Sequence, residues 1–141
     1  MRIAICPGSF DPVTKGHVNI IERSAKLFDK VIVLVVVNPN KTPMFTTEQR
    51  VDFLQRATAH LPNVEVDSYL GLLADYARSA GACTLIKGLR AVTDFEFEFQ
   101  QALTTKKLNP ELETMFVITD SSYMYLSSSI VKQIAEFGGD V

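Results

Sequence analysis

The 141-residue sequence has little of what exported or membrane-spanning proteins depend on. It contains two cysteines, Cys6 and Cys83, which are too few for a disulfide framework and lack metal-ligand spacing. Its longest apolar run, residues 31–37, is far shorter than the roughly 20 residues that span a bilayer. The amino terminus lacks the hydrophobic region of a signal peptide. These absences predict a protein of the reducing cytoplasm with no membrane partner.

The sequence also lacks a strong charge imbalance. Its net charge is −2, from 14 basic and 16 acidic side chains, so no bulk attraction to nucleic acid is expected. With 47% hydrophobic and 21% charged residues, the composition is typical of a globular protein rather than a disordered one. Neither an internal repeat nor a low-complexity linker divides the chain, so we expect one domain over residues 1–141.

Short apolar runs alternate along the chain with longer segments of helical periodicity. This alternation, with its short connections, predicts an α/β fold with a Rossmann-like five-stranded parallel sheet and helices on both faces. Ligands of such sheets bind beyond the carboxyl ends of the strands. The predicted strands are residues 2–6, 31–37, 64–67, 84–87 and 113–119. The predicted helices are residues 16–28, 46–60, 72–80, 93–108 and 127–137.

The loop after the first predicted strand lacks both common nucleotide fingerprints. The segment PGSFDPVTKGH, residues 7–17, contains neither G-x-G-x-x-G nor G-x-x-x-x-G-K-[ST], which excludes a dinucleotide fingerprint and a P-loop. It does combine a glycine-containing turn with His17 in the first turn of a helix, where backbone N–H groups and the helix dipole favour an anion. A lone histidine at the start of a helix is more often structural, so His17 alone does not establish a functional role.

Cations and hydroxyl groups follow the other predicted strands. Lys41 lies in the turn after the second strand, and Lys87 and Arg90 bracket Gly88 at the end of the fourth. The last helix opens with three serines, at residues 127–129, although an N-cap requires only one. Each feature alone also fits a solvated turn or a simple cap. Together, cations gathered at the ligand edge of a net negative chain predict a polyphosphate ligand.

Arrangements for covalent or metal-centred catalysis are missing from the sequence. No Ser-His-Asp or Cys-His pattern predicts a covalent intermediate, and no cluster of His, Cys and carboxylates predicts a dedicated metal site. In-line phosphoryl-type transfer needs neither, because positioning and electrostatic stabilisation do most of the catalysis. We expect Mg²⁺ to be held mainly by phosphate oxygens and water.

Four motifs resemble those of a known family. PGSFDPVTKGH is similar to the opening motif of the T/HxGH nucleotidyltransferases. NPNKTPMFTTEQRV, IKGLRAVTDFEFE and LSSSIVK then match, in order, the motifs of the phosphopantetheine adenylyltransferases, over essentially the whole chain. The resemblance implies that AMP is transferred from ATP to 4′-phosphopantetheine, giving dephospho-coenzyme A and pyrophosphate. It also implies a homohexamer, use of Mg²⁺ and feedback inhibition by coenzyme A.

The resemblance also implies roles for individual residues. Leu73 and Glu98 rest on it entirely, because on their own they are a core leucine and an ordinary helix carboxylate. The implied catalytic residues are His17, Lys41 and Arg90, with His17 stabilising the transition state at the α-phosphate. The implied contacts to phosphopantetheine come from Ser9, Lys41, Leu73 and Lys87. The implied contacts to ATP come from Ser9, Phe10, His17, Gly88, Leu89, Arg90, Glu98, Tyr123, Met124, Tyr125, Leu126, Ser127, Ser128 and Ser129.

Two features depart from the family pattern, and two other functions remain as alternatives. Lys87 stands where many relatives have arginine, and the sequence ends after GGDV, where the family continues for about one more helix. Another adenylyl- or cytidylyltransferase of the superfamily, such as one acting on nicotinate mononucleotide, is disfavoured by the KGLR and DFEFE segments. A non-catalytic ATP-binding module is disfavoured by the joint presence of His17, Lys41 and Arg90.

Overall fold

Strands and helices alternate throughout the part of the chain that the computed structural model describes, residues 1–40, 42–89, 92–118, 120 and 128–138. Of residues 92–94, 128 and 129, the backbone alone is described. The strands are β1 Ile3–Gly8, β2 Lys30–Val36, β3 Val64–Tyr69, β4 Thr84–Leu89 and β5 Glu113–Ile118. The helices are α1 Lys15–Leu27, α2 Thr47–Ala57, α3 Leu73–Ala80, α4 Val92–Leu108 and α5 Ser128–Glu136. The predicted order of elements is confirmed.

The strands form one parallel sheet in the order β3-β2-β1-β4-β5. The chain adds β2 and β3 on one side of β1, and β4 and β5 on the other, so the direction of winding reverses between β1 and β4. β1 pairs with β2 from Ile3 to Gly8, whereas its described pairing with β4 is at Ala4 and Ile5. The two central strands therefore part towards their carboxyl ends. Open α/β sheets bind their ligands at such a switch point.

Both faces of the sheet are covered, as the β-branched run of β2 predicts. Because successive side chains of a strand point to opposite faces, neighbouring residues of β1 enter different cores. Cys6 belongs to a cluster with Ile21 of α1 and Leu54 of α2. Ile5 belongs to a second cluster with Ala77 of α3. Helices α1 and α2 thus cover one face of the sheet, and α3 covers the other.

Three strands, β1, β3 and β4, extend further at their carboxyl ends than their sequence predicts. Pro7 and Gly8 belong to β1 and pair with β2, and Gly88 and Leu89 belong to β4 and pair with β5. A proline is tolerated inside this central strand because the pairing described between β1 and β4 stops at Ile5, so β4 does not need the missing N–H. The residues of β1 and β4 at the ligand edge are therefore held by strand pairing and do not lie in loops.

Candidate active site

A cavity of about 670 Å³ occupies the crevice between the carboxyl ends of β1 and β4. It is lined by Pro7 and Gly8 of β1, by Leu85 and Lys87 of β4, and by side chains of α4, α3 and the loop that precedes α3. Its volume lies within the range of about 300–1,000 Å³ that is typical of small-molecule sites. The cavity therefore lies where the sheet topology predicts a ligand.

Three of the four residues expected to contact phosphopantetheine line this cavity together. Ser9 comes from the loop after β1, Leu73 from the start of α3, and Lys87 from β4. Lys41, the fourth, lies outside the described residues. Glu98 of α4, expected on the ATP side, lines the same cavity. Residues 64 positions or more apart in sequence, such as Ser9 and Leu73, are thus brought to one surface.

Lys87 points into the cavity and is held there by α4. Its Nζ lies 2.9 Å from Oε2 of Glu98 and donates a hydrogen bond of 3.2 Å to Oε1 of Gln101. The contact with Glu98 is an ion pair that lacks the alignment of a hydrogen bond. The two charged side chains are 21% and 24% exposed, so water screens the pair less than it screens a fully exposed one.

His17 has a structural role that its sequence context does not reveal. The Thr14 hydroxyl accepts a hydrogen bond from the backbone N–H of His17, and Nδ1 of His17 accepts one of 2.9 Å from the backbone N–H of Thr14. The pair forms a capping box at the start of α1, with histidine in the position usually held by Glu or Gln. Since a backbone N–H can only donate, Nδ1 carries no hydrogen and the neutral ring carries it on Nε2. Nε2 is therefore a hydrogen-bond donor of fixed orientation.

Phe10 connects His17 to the end of β1. Its ring meets the His17 ring edge-on, with the centroids 4.9 Å apart. A Cβ added to Gly8 would lie 3.1 Å from Cε2 of Phe10, so a side chain at residue 8 would push the Phe10 ring away. The backbone of Phe10 is in the left-handed region, with φ of 48°, which is uncommon for a bulky residue. Glycine at residue 8 and this local strain together seat Phe10 against His17.

Arg50 of α2 braces the same loop from below the surface. It is 4% exposed, and its guanidinium donates to the carbonyl oxygens of Ser9, at 2.9 Å, and Thr46 and to the hydroxyl of Thr47. The sequence gives no signal for this contact, because an arginine in a capped amphipathic helix is typical of a solvated face. The contact fixes the backbone of Ser9 at the mouth of the cavity.

Asp11 is a second buried group that the sequence does not single out. Asp11 is 4% exposed, and its carboxylate accepts hydrogen bonds of 2.9 Å from the backbone N–H groups of Met44 and Phe45. Oδ2 also lies 2.7 Å from Nζ of Lys132 on α5. Burial alone would raise the pKa of Asp11, but the hydrogen bonds from Lys132, Met44 and Phe45, with the charge of Lys132, hold it below its ordinary value. Asp11 is therefore ionised at neutral pH.

The remaining predicted residues lie at the sheet edge or outside the described part of the chain. Gly88 and Leu89 end β4, and Ser128 and Ser129 begin α5. Phe10 and His17 do not line the cavity that holds Lys87, and Ser9 connects the two groups. Outside the described residues lie Lys41, Arg90, Tyr123, Met124, Tyr125, Leu126 and Ser127.

Over the described ranges, no group of three or more His, Cys, Asp or Glu side chains is placed to hold a metal ion. In the same part of the chain, no helix has the length and apolar character needed to cross a bilayer.

The sequence of this chain matches a protein family and is similar to proteins from other organisms. The sequence profile of the cytidylyltransferase-like family matches residues 5–134. The phosphopantetheine adenylyltransferase of Heliobacterium modesticaldum is 55% identical over 141 residues, covering 100% of this chain and 84% of that protein. The phosphopantetheine adenylyltransferase of Caldanaerobacter subterraneus subsp. tengcongensis is 58% identical over 139 residues, covering 99% and 87%.

Solved structures share the fold at much lower identity. A bifunctional NMN adenylyltransferase/ADP ribose pyrophosphatase from Francisella tularensis superposes with a TM-score of 0.72 at 18% identity, over 97% of this chain and 42% of that one. A lipopolysaccharide core biosynthesis protein from Thermoplasma volcanium gives a TM-score of 0.59 at 21% identity, over 85% and 97%. Similarity at this level shows a common fold.

Proposed function

The chain belongs to the cytidylyltransferase-like family and, within it, to the phosphopantetheine adenylyltransferases, and from this membership we propose that it transfers AMP from ATP to 4′-phosphopantetheine. The products are dephospho-coenzyme A and pyrophosphate, in the penultimate step of coenzyme A synthesis. The relatives span nearly the full chain at more than half identity, which supports the assignment of the acceptor as well as the reaction class.

The cavity between β1 and β4 is the observation that carries the proposal. Phosphopantetheine is a phosphate on a long, uncharged arm, so its site needs a cation at one point and a mixed apolar and polar wall elsewhere. Lys87 supplies a cation, and Leu73 with Phe97 supplies apolar wall. Gln101 and Thr105 add amide and hydroxyl groups that can bond the amides of the arm.

The proposed chemistry is a direct displacement. An oxygen of the acceptor phosphate attacks the α-phosphorus of ATP, and a new P–O bond forms as the bond to pyrophosphate breaks, with no covalent enzyme intermediate. Nε2–H of His17 donates to an α-phosphate oxygen, where negative charge develops, and the capping bond to Nδ1 orients the ring beforehand. Lys41 and Arg90 neutralise phosphate charge, Lys41 also contacting the acceptor.

We assign ATP to the carboxyl ends of the strands, next to the loop that follows β1. Ser9 and Phe10 contribute from the loop after β1, and His17 from the first turn of α1. Gly88 and Leu89 contribute from β4, and Glu98 from α4. The remaining contacts come from Arg90, Tyr123, Met124, Tyr125, Leu126, Ser127, Ser128 and Ser129. The ion pair of Glu98 with Lys87 supports a position for Glu98 between the two proposed substrates.

Mg²⁺ belongs to the proposal as a companion of ATP. Both carboxylate oxygens of Asp11, the acid next to Phe10, are already engaged by Met44, Phe45 and Lys132, so this acid is not available as a ligand. Mg²⁺ retains several waters and binds phosphate oxygens readily, which fits a site that offers few acidic ligands. When bound, the ion offsets the negative charge of the phosphates.

The proposal also includes feedback inhibition by coenzyme A. Coenzyme A contains the same pantetheine arm as the acceptor, so the cavity that takes one substrate also takes this inhibitor, in competition with phosphopantetheine.

We place the protein in the cytoplasm and propose that it is a homohexamer. The exposed apolar side chains of α4 and β5 support the proposed assembly.

Pyrophosphate release in the presence of ATP, Mg²⁺ and 4′-phosphopantetheine tests the proposed reaction. We expect turnover with this acceptor and none with pantetheine, because the acceptor phosphate is the nucleophile. Nicotinate mononucleotide serves as a second comparison, and we expect no product from it. Equal turnover of pantetheine, or preference for the mononucleotide, contradicts the assignment.

A further inference from the structure

We infer that Asp11 and Lys132 are positioning residues for the nucleotide, because their ion pair fixes the start of α5 against the loop that carries Phe10 and leads into α1, where His17 lies. The inference rests on the proposed function, in which both of these segments contact ATP. It adds two residues that touch neither substrate in the proposed site.

Asp11 joins three segments that are far apart in sequence. It lies in the loop between β1 and α1, accepts the N–H groups of Met44 and Phe45 from the connection between β2 and α2, and pairs with Lys132 of α5. Its side chain is 5% exposed, so all three interactions converge on a buried carboxylate, although the Lys132 side chain is 35% exposed. A turn aspartate needs only a neighbouring backbone N–H. Convergence of three segments on one buried carboxylate instead fixes their relative positions.

Lys132 transmits this constraint to the start of α5. It lies four residues after Ser128, or about one helical turn, so a fixed Lys132 sets both the position and the rotation of the first turn. Ile130 and Ile134 of α5 are each more than a third exposed, so these two side chains are not fully buried in a core. The ion pair of Lys132 with Asp11 is a contact that attaches α5 to the loop after β1.

The energetics of a buried pair provide the test. Removing Lys132 leaves the buried Asp11 carboxylate with its two backbone N–H donors but without its counter-charge, whereas removing both charges avoids that penalty. Lys132 is the safer first target, because its side chain is 35% exposed while the Asp11 carboxylate also holds two backbone N–H groups. Asn in place of Asp11 keeps one acceptor oxygen and loses the charge.

The experiment combines hydrogen exchange with steady-state kinetics on the full chain. We expect Lys132→Met to speed amide exchange in residues 128–138, and to raise the KM for ATP, each on the order of 10-fold or more. The KM for phosphopantetheine should not change, and Lys132→Arg should retain wild-type values. In the Asp11→Asn, Lys132→Met double variant, the loss of α5 protection should be smaller than the sum of the two single losses. Lys106→Met is the control, because it breaks an exposed ion pair with Glu113.

Two results would overturn the inference. Unchanged exchange in α5 together with a raised KM for ATP would mean that Lys132 acts on ATP directly. Additive losses in the double variant would mean that the two residues do not act through each other. Failure of the proposed reaction is distinguishable, since the wild-type chain would then release no pyrophosphate while the exchange of α5 still depended on Lys132.

Discussion

At the scale of single residues, the two nitrogens of His17 explain why a structural and a chemical role are compatible. Nδ1 accepts the Thr14 backbone N–H and completes the cap of α1. This bond leaves the hydrogen of the neutral ring on Nε2, the nitrogen that the proposed mechanism uses as a donor, and it orients the ring. The sequence alone leaves the two roles as alternatives, because a histidine in a capping box is not a common pattern.

The chain itself offers the variant that separates the two roles. In α2, Gln49 occupies the same capping position as His17 and caps Thr46 with its side chain. We expect His17→Gln to keep the cap, and therefore the melting temperature, while kcat falls roughly 10²–10³-fold because the donor to the α-phosphate is lost. His17→Ala should lower both kcat and stability, with a much smaller change in ATP binding. An unchanged kcat in His17→Gln would leave His17 with the structural role alone.

The structure adds to the sequence the side chains that Lys87 contacts in the cavity. Its side chain reaches the cavity, as predicted, but meets Glu98 and Gln101 there. We expect Lys87→Ala to raise the KM for phosphopantetheine roughly 10–100-fold, because a charged contact to the acceptor phosphate is lost. Lys87→Arg should preserve activity, since both cations neutralise phosphate. Initial rates with each substrate varied separately provide the measurement, and a larger effect on ATP would assign Lys87 to the other substrate.

At the scale of elements, the order of the fold follows from local pattern, but element ends and long-range contacts do not. The β-branched run of β2 and the Thr-x-x-Gln pattern at Thr46 are visible in the sequence, and the structure has a strand and a capping box there. Pro7 and Gly8 are typical of a turn, yet they extend β1 because β2 offers a pairing partner. The bond from Arg50 to Ser9 joins residues 41 positions apart, so no short motif predicts it.

The residue that ends α3 has a backbone conformation that most other residues adopt only at a cost in stability. Gly81 closes this helix in the left-handed region, with φ of 70°. A Cβ at this position would meet nothing within 4 Å, so the penalty for a side chain is conformational. We expect Gly81→Ala to destabilise the fold by about 1–2 kcal/mol, and Gly81→Asn by less. Thermal unfolding measures the difference, and equal stability of the wild type and Gly81→Ala would contradict it.

At the scale of the whole molecule, the exposed apolar surface is concentrated on α4 and the neighbouring edge strand. Phe99 and Leu103 of α4 are 46% and 57% exposed, and Ile118 of β5 is 73% exposed. Within the described residues, β5 pairs with β4 alone and leaves its other edge open. Apolar patches and open edges of this kind mark surfaces that bind another chain. A second copy of the same chain is the occupant that the proposed hexamer supplies.

Assembly is tested by placing a charge in this surface. We expect the wild type to sediment as a homo-oligomer, with six times the mass of one chain as the proposed state. Leu103→Glu should shift the distribution towards smaller species, because a carboxylate buried at an interface is costly unless it is paired. Leu27→Glu is the matched control: Leu27 is 60% exposed on α1, on the opposite face of the sheet, so assembly should not change. A wild-type monomer would contradict the proposed assembly, and equal effects of the two substitutions would exclude the α4 surface as its interface.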